Sequence, residues 1–447
     1  MTRATDEPVR VLERLPDGTV RQQSPLTGTV VWTVPGRSNR PIPSALPAPR
    51  PLGSTGSEAV CAFCPGRYLE TPPERSRLIL DPAADGFAPW RILQNLPAEQ
   101  LAGTVADFRR FPNLFEILAF EYWHANHGYE IPAAARARAT EYAATQVGRD
   151  HVLAIKRTRM QAAGASAEEV AAESEDRLLA RAGTLFASSH DVISARRHFI
   201  DGARCDDELA SSGDLTPVEH HAFLSLTVDG LADLNRTNPY ACYVAAFQNW
   251  LRPAGASFDH LHKQLVAIDE YGPLMTRTLG MLRDAPDLFN TTIVDPAARD
   301  RLVIAENDHC IAVAGVGHRY PTVEIYATGT AQLPWEHSPE ALRAVSDVVH
   351  ACHAATGRAV PTNEEWHYRP IGAEAAMPWR INLKWRVSTL AGFEGGTKIN
   401  VNTISPFTLR QRMVDALVGL RSAGRIEPMA IGDECSHRTG ALRYAEV

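Results

Sequence analysis

No apolar run in this chain approaches the ~20 residues that a bilayer-spanning helix needs. The opening Met1-Thr2-Arg3-Ala4-Thr5-Asp6-Glu7 is polar, with none of the apolar core of a signal peptide. The expected location is therefore the cytoplasm, with no membrane partner. Positive charge is also short: the formal net charge is −7, which excludes a broad nucleic-acid-binding face. An anionic ligand would need a local patch of arginine or lysine. Cysteine is sparse and odd in number, with seven at 61, 64, 205, 242, 310, 352 and 435. Such scatter excludes a disulfide framework as the organising device. Only Cys61 and Cys64 stand close together.

What is present is enough apolar material for a large core: 45% of 447 residues, against 22% charged. The length suits two or three domains, or one duplicated fold. The chemistry concentrates in Gly255-Ala256-Ser257-Phe258-Asp259-His260-Leu261-His262-Lys263-Gln264, just before the apolar run Leu265-Val266-Ala267-Ile268. Read as a strand, His260, His262 and Gln264 share one face, roughly 6–7 Å from one to the next. Two imidazoles and an amide so spaced can converge on one small anion. A neutral imidazole attacks phosphorus well near pH 7, and an amide N–H holds phosphoryl oxygens without adding charge. Gly255 and Ser257 suit a tight turn carrying a backbone or hydroxyl donor. Periodicity by itself is equally met by a half-exposed polar strand.

Other stretches add pieces in order. Ser24-Pro25-Leu26-Thr27-Gly28 to Arg37-Ser38-Asn39-Arg40-Pro41 reads as a turn, a β-rich run and a basic exit loop. Cys61-Ala62-Phe63-Cys64-Pro65-Gly66 places two thiolates where they can share one tetrahedral Zn²⁺, provided two further ligands come from elsewhere; a redox pair fits the spacing as well. Residues 124–186 are rich in Ala, Arg and Glu and read as two or three helices, with Ser166-x-x-Glu169 a capping box opening the last. An amphipathic helix is expected from Leu215-Thr216-Pro217 to Leu234, and another from Ser338 to Ala355.

Gly-Ala-Ser-x-x-His-x-His-x-Gln resembles the active-site segment of galactose-1-phosphate uridylyltransferases, the branch of the histidine-triad (HIT) superfamily in which Gln replaces the third His. The Pro-Leu-Thr-Gly…Arg-x-x-Arg-Pro segment, Cys-x-x-Cys-Pro-Gly, Phe111-Pro112-Asn113, His190 to His198, and Gly392-Phe393-Glu394-Gly395-Gly396-Thr397 resemble the same family in collinear order. The resemblance covers about three quarters of the chain, interrupted by residues 124–186, which read as a helical insertion. It implies an α+β duplicated fold, antiparallel sheets flanked by helices, with halves at 1–288 and 289–447. It further implies that His262 is the nucleophile, with Gln264 and Ser257 holding phosphoryl oxygens. Arg37, Arg40, Asn113 and Asn249 would bind the nucleotide and its phosphates. Glu394, Asn400 and Arg380 would serve the sugar or acceptor. Cys61, Cys64, His198 and His260 would form a closed, structural Cys₂His₂ zinc site.

The implied reaction moves a nucleoside monophosphate from a nucleoside diphosphate-sugar to a sugar 1-phosphate, of UDP-hexose type. Phosphate or water as acceptor would make it a nucleoside diphosphate-sugar or dinucleoside polyphosphate phosphorylase or hydrolase using the same histidine; a non-catalytic nucleotide-binding protein is the third reading. A homodimer is the family habit. One departure stands out. Where many members carry His-x-His-x-Glu, this chain has Pro378-Trp379-Arg380-Ile381-Asn382, followed by Lys384 and Arg386. A second metal site is therefore not expected, galactose itself is in doubt, and a basic stripe of period two takes the place of the motif.

Overall fold

The computed structural model describes residues 11–36, 49–52, 60–81, 83, 86 and 88–446. The chain divides into two compact units, named by their order along the sequence: an inner one over Pro49–Arg252 and Ala256–Glu270, and an outer one over the described residues of the flanking Met1–Ala48, Pro253–Gly255 and Tyr271–Val447. No helix among the described residues is long and apolar enough to cross a membrane.

The outer unit starts with three short strands, β1 (Leu12–Arg14), β2 (Val20–Gln23) and β3 (Val30–Thr33). The inner unit follows with β4 (Ser76–Leu80), β5 (Trp90–Gln94) and β6 (Phe108–Pro112), then β7 (His190–Ala195), β8 (Tyr243–Trp250) and β9 (His262–Ile268). These six form an antiparallel sheet in the order β8-β9-β7-β6-β4-β5. Between β6 and β7 lie six helices where two or three were expected: α1 (Phe120–His127), α2 (Ala133–Tyr142), α3 (Gln146–Ala162), α4 (Ala167–Ala172), α5 (Glu175–Ala180) and α6 (Gly183–Phe186). The run is cut this finely because its stop and start signals are dense. Gly128 ends α1 at φ 69°, and Ser166 opens α4 through the expected capping box with Glu169. Tyr142, Val152, Ile155 and Leu185 bury this layer's apolar side.

The long helix α7 (Pro217–Thr237) lies across β6, β7, β8 and β9. Thr216 caps it reciprocally with Glu219, and Pro217 supplies a pre-set first turn. Gly230 marks the closeness of the packing: a Cβ there would come to 2.5 Å from Leu265 Cδ1 on β9, and that buried side chain would have to shift. On β9, Lys263 and Leu265 thus face the helix, with the Lys263 ammonium 4.9 Å from the Phe223 ring centre. His262 and Gln264 face the other way.

The outer unit continues with α8 (Pro273–Asp284), α9 (Asp295–Arg299), β10 (Val303–Asn307), β11 (Cys310–Ala314), β12 (Thr322–Ala327), α10 (Pro339–Thr356), β13 (Thr362–His367) and β14 (Arg380–Trp385). It closes with α11 (Gly392–Thr397), β15 (Ile399–Asn402), α12 (Pro406–Ser422) and β16 (Ala430–Ile431). Its larger sheet has the order β16-β10-β11-β12-β14-β13, all antiparallel neighbours. The sequence β12-α10-β13-β14 thus repeats β7-α7-β8-β9, with strand order β13-β14-β12 matching β8-β9-β7. A second sheet, β1-β2-β3-β15, joins β15 to β3 in parallel. The Gly-rich segment at 392 forms the short helix α11. The Glu394 carboxylate accepts from the Ala391 N–H at 3.1 Å and so caps the first turn, which offsets the poor helix propensity of glycine.

Candidate active site

Four side chains converge beside the start of β9. The Cys61 and Cys64 sulfurs are 3.8 Å apart, and the Nδ1 atoms of His198 and His260 lie 3.4–3.8 Å from them. A tetrahedral ion with metal–sulfur bonds of about 2.3 Å and metal–nitrogen bonds of about 2.0 Å has edges of about 3.8 Å between sulfurs and about 3.6 Å between sulfur and nitrogen. The geometry therefore fits one metal ion. His260 was expected on the strand with His262, but β9 begins at His262 and His260 sits in the turn before it. The end of β7 fixes it there: the His260 Nε2–H donates to the Ala195 carbonyl at 2.7 Å, leaving Nδ1 with its lone pair toward the sulfurs. The Cys64 thiolate is favoured by the hydrogen bond from Cys61 and then by the two imidazoles, against burial, while the Cys61 thiol is pushed up by sharing that proton.

His262 follows immediately. Its Nδ1–H donates to the His260 carbonyl at 2.7 Å, so the Nε2 lone pair is uncommitted. The ring is 4% exposed and packs edge-on to Phe63, at 5.4 Å between centres. Burial pushes its pKa down to about 4, so the imidazole is neutral at pH 7.

Two residues on from His262, the Gln264 amide is pinned at its oxygen. The pin is His190, which the sequence offers only as the first residue of the family-like stretch His190 to His198. The register Val192↔Gln264 and Ser194↔His262 puts His190 on the same sheet face. The Ile117 N–H donates to His190 Nδ1 at 3.1 Å, so the ring proton sits on Nε2, which lies 3.0 Å from Gln264 Oε1 and 2.9 Å from Asn113 Nδ2. Asn113 Nδ2 adds a second donor to Gln264 Oε1 at 3.3 Å, its own Oδ1 being held by the Phe115 N–H at 2.9 Å. With Oε1 doubly occupied, Gln264 presents its NH₂ end outward. The sequence signal for His190 is its place in that family-like stretch, which says nothing of what its ring touches.

Behind β7, the fully buried Asp191 accepts from Arg75 Nε at 2.9 Å and from Arg110 at 2.6 Å, and Arg110 also reaches Asp233 at 2.7 Å. This network locks β6, β7 and α7 together on the helix side, holding the opposite face in place.

Asn249 lies two residues beyond Phe247, whose register partner is Gln264, and so belongs to the same face. Ser257 is exposed in the turn that Gly255 opens at φ 90°, a conformation reserved for glycine. Glu394, Asn400 and Arg380 belong to the outer unit. The Glu394 carboxylate caps its own helix, and Asn400 Nδ2 donates to the Val30 carbonyl at 3.2 Å. Arg380 lies on β14 and is buried. Arg37 and Arg40 lie outside the described residues.

Strand order and repeated half give this chain a fold that it shares with solved proteins. One is an ADP-glucose phosphorylase structure from Arabidopsis thaliana with bound ADP-glucose, with TM-score 0.53 and 18% identity, over 88% of this chain and 97% of that one. A GalT-like protein from the same organism matches with TM-score 0.50 and 18% identity, over 80% of this chain and 92% of that one. The chain belongs to the family described as a domain of unknown function, DUF4921, whose model matches residues 15–444. By sequence it is 25% identical over 173 residues to the ADP-glucose phosphorylase of Arabidopsis thaliana; this is 37% of the chain and about half, 49%, of that relative's length.

Proposed function

We propose that this protein transfers a nucleoside monophosphate from a nucleoside diphosphate-sugar through a covalent nucleotide on His262. The observation that carries the reading is the tautomer of His262. Its Nδ1 proton is given to the His260 carbonyl at 2.7 Å, and its Nε2 lone pair stands beside an amide whose NH₂ end is held outward. Attack by Nε2 on the α-phosphorus forms a P–N bond and breaks the bond to the bridging oxygen, releasing sugar 1-phosphate. An acceptor oxygen then forms a new P–O bond, the P–N bond breaks, and the lone pair returns to Nε2. Two in-line displacements replace one direct approach between two anions. Gln264 supports the non-bridging oxygens as charge shifts, with Ser257 as a second donor. Asn113 and Asn249 are assigned to the nucleotide, Arg37 and Arg40 to its phosphates, and Glu394 and Asn400 to the acceptor side, by the resemblance.

The metal we assign is Zn²⁺ on Cys61, Cys64, His198 and His260. Four protein ligands leave no open position, so its contribution is to the fold of the turn that leads into His262. For the second half-reaction, sugar 1-phosphate as acceptor gives the UDP-hexose type of exchange, and inorganic phosphate gives a phosphorylase. The likeness to an ADP-glucose phosphorylase favours the second.

The test is incubation with α-³²P-labelled ADP-glucose and UDP-glucose. The expected outcome is acid-labile, base-stable label on the protein, released by phosphate or sugar 1-phosphate and absent in His262→Ala. Wild-type turnover by His262→Ala would overturn the covalent mechanism.

A further inference from the structure

The outer unit keeps the plan of the inner one with other side chains. In each, a long helix covers one face of the central strands. On β14, Trp385 turns to that helix, its Nε1 donating to Thr356 of α10 at 3.0 Å. Arg380, Asn382 and Lys384 therefore point to the opposite face, the one that carries His262 and Gln264 in the inner unit. In the outer unit this face lines a cavity of about 800 Å³, and every residue lining it belongs to that unit. The volume is that of a small-molecule site.

Register fills the face with charge. Asn382 is flanked by Glu324 on β12 and Glu365 on β13, and Arg380 is opposite His367. Several of these groups satisfy one another: Lys384 pairs with Glu365 at 2.6 Å, His318 with Glu324 at 2.9 Å, and Arg386 with Asn363 at 2.6 Å. A remainder is left over. Arg380 and Asn382 are each 3% exposed, yet Arg380 Nε and Asn382 Oδ1 have no hydrogen-bond partner among the described residues, nor has Arg386 Nε. Arg380 approaches Glu324 only to 3.7 Å. Buried polar atoms are rarely left unmet, because each such group costs about 1–3 kcal/mol.

The unmet set has a definite chemistry. Two guanidinium donors, with the Lys384 ammonium between them along the strand, suit the oxygens of a phosphate monoester. One amide acceptor in their midst suits a hydroxyl. A bare anion would leave Asn382 Oδ1 unpaired, and a neutral sugar would leave the guanidinium groups so. We propose that this cavity binds a phosphorylated sugar, with Arg380, Lys384 and Arg386 on the phosphate and Asn382 on a neighbouring hydroxyl. This site rests on the outer unit's own residues and stands independently of the chemistry at His262.

The probe is α-D-glucose 1-phosphate, titrated calorimetrically into the full chain, with inorganic phosphate and glucose as comparisons. Glucose 1-phosphate is expected to bind the wild type, and to bind His262→Ala equally. Lys384→Met and Asn382→Asp are expected to weaken it at least tenfold, as measured by the same titration. Glucose should give no heat, and phosphate should bind more weakly. Arg386→Met, on a partly exposed side chain, carries the same expectation if a more buried substitution fails to fold. Absence of binding to the wild type would overturn the proposal. So would unchanged affinity in the folded variants, or phosphate binding as tightly as the sugar phosphate. Loss of all binding in a His262→Ala, Gln264→Ala double variant would also overturn it, since the ligand would then belong to the inner unit.

Discussion

Replacing His190 asks whether the Gln264 amide is aimed or merely present. His190→Leu keeps the side chain's bulk and removes the ring's polar contacts: the 3.0 Å bond to Gln264 Oε1, the 3.1 Å bond from the Ile117 N–H and the 2.9 Å contact with Asn113 Nδ2. His190 is 1% exposed, so water does not replace them freely. Each orphaned group costs about 1–3 kcal/mol, and Gln264 keeps the longer bond from Asn113, so the expected destabilisation is about 2–4 kcal/mol in all. The amide then loses its preferred orientation and presents an oxygen to the phosphate for part of the time. Nucleotide transfer should slow by about 10- to 100-fold, equivalent to about 1.4–2.7 kcal/mol in the barrier, with KM little changed. His190→Gln offers an Nε2 donor toward Gln264 but no acceptor for Ile117. It should recover most of kcat while remaining less stable, a split that a purely structural role would not give. The assay is single-turnover labelling by α-³²P-ADP-glucose at pH 7 in a quench-flow instrument, beside thermal melts of each variant. A folded His190→Leu that labels at the wild-type rate would refute the orientation argument, as would a His190→Gln no faster than His190→Leu.

Three further expectations concern the framework. Burial holds His151, His190 and His337 neutral, with pKa values pushed down to about 4. The unfolded chain, with histidines near ~6.5, binds more protons between those values. Stability is thus complete above ~6.5 and falls as pH drops toward 4, by up to about 3 kcal/mol per histidine; a urea midpoint unchanged between pH 7 and pH 5 would contradict this. Metal analysis should give about one zinc per chain, and Cys64→Ser should lower both zinc content and Tm; full zinc in that variant would remove Cys64 from the ligand set. Asp191→Ala leaves Arg75 and Arg110 without their shared carboxylate, which should cost about 3–5 kcal/mol by denaturant titration; a loss under 1 kcal/mol would mean the network is dispensable.

Much of this was legible in the chain because the chemistry is local. Cys61 and Cys64 are three residues apart, and His260, His262 and Gln264 are spaced by two, so short-range rules bring each set near itself. The helix starts at Thr216 and Ser338 were equally plain, each with a capping side chain and a following proline. What escaped depends on pairing over distance. His190 gains its meaning only from the β7–β9 register, which sets it two residues beyond the partner of Gln264. Glu324, Asn382 and Glu365 are widely separated in sequence and become one row only through the β12-β14-β13 pairing. Arg380, Lys384 and Arg386 alone read equally well as a solvated strand face. The fine division of the inserted helices, and the helix at 392, turned on individual caps that outweighed composition.

The parallel pairing of β3 with β15 sets a timetable for the emerging polypeptide. Asn400 and Val30, bonded side chain to backbone in the finished sheet, are 370 residues apart. At about 5–20 residues per second, β3 leaves the ribosome roughly 20–70 seconds before its neighbour exists. The inner unit, nearly all of it drawn from the continuous stretch Pro49–Arg252, is complete long before then. For that interval Val30-Val31-Trp32 carries one open strand edge, the kind of template that recruits other chains. Nascent chains stalled before Ile399 are accordingly the species in which a chaperone holding the first 36 residues would matter most.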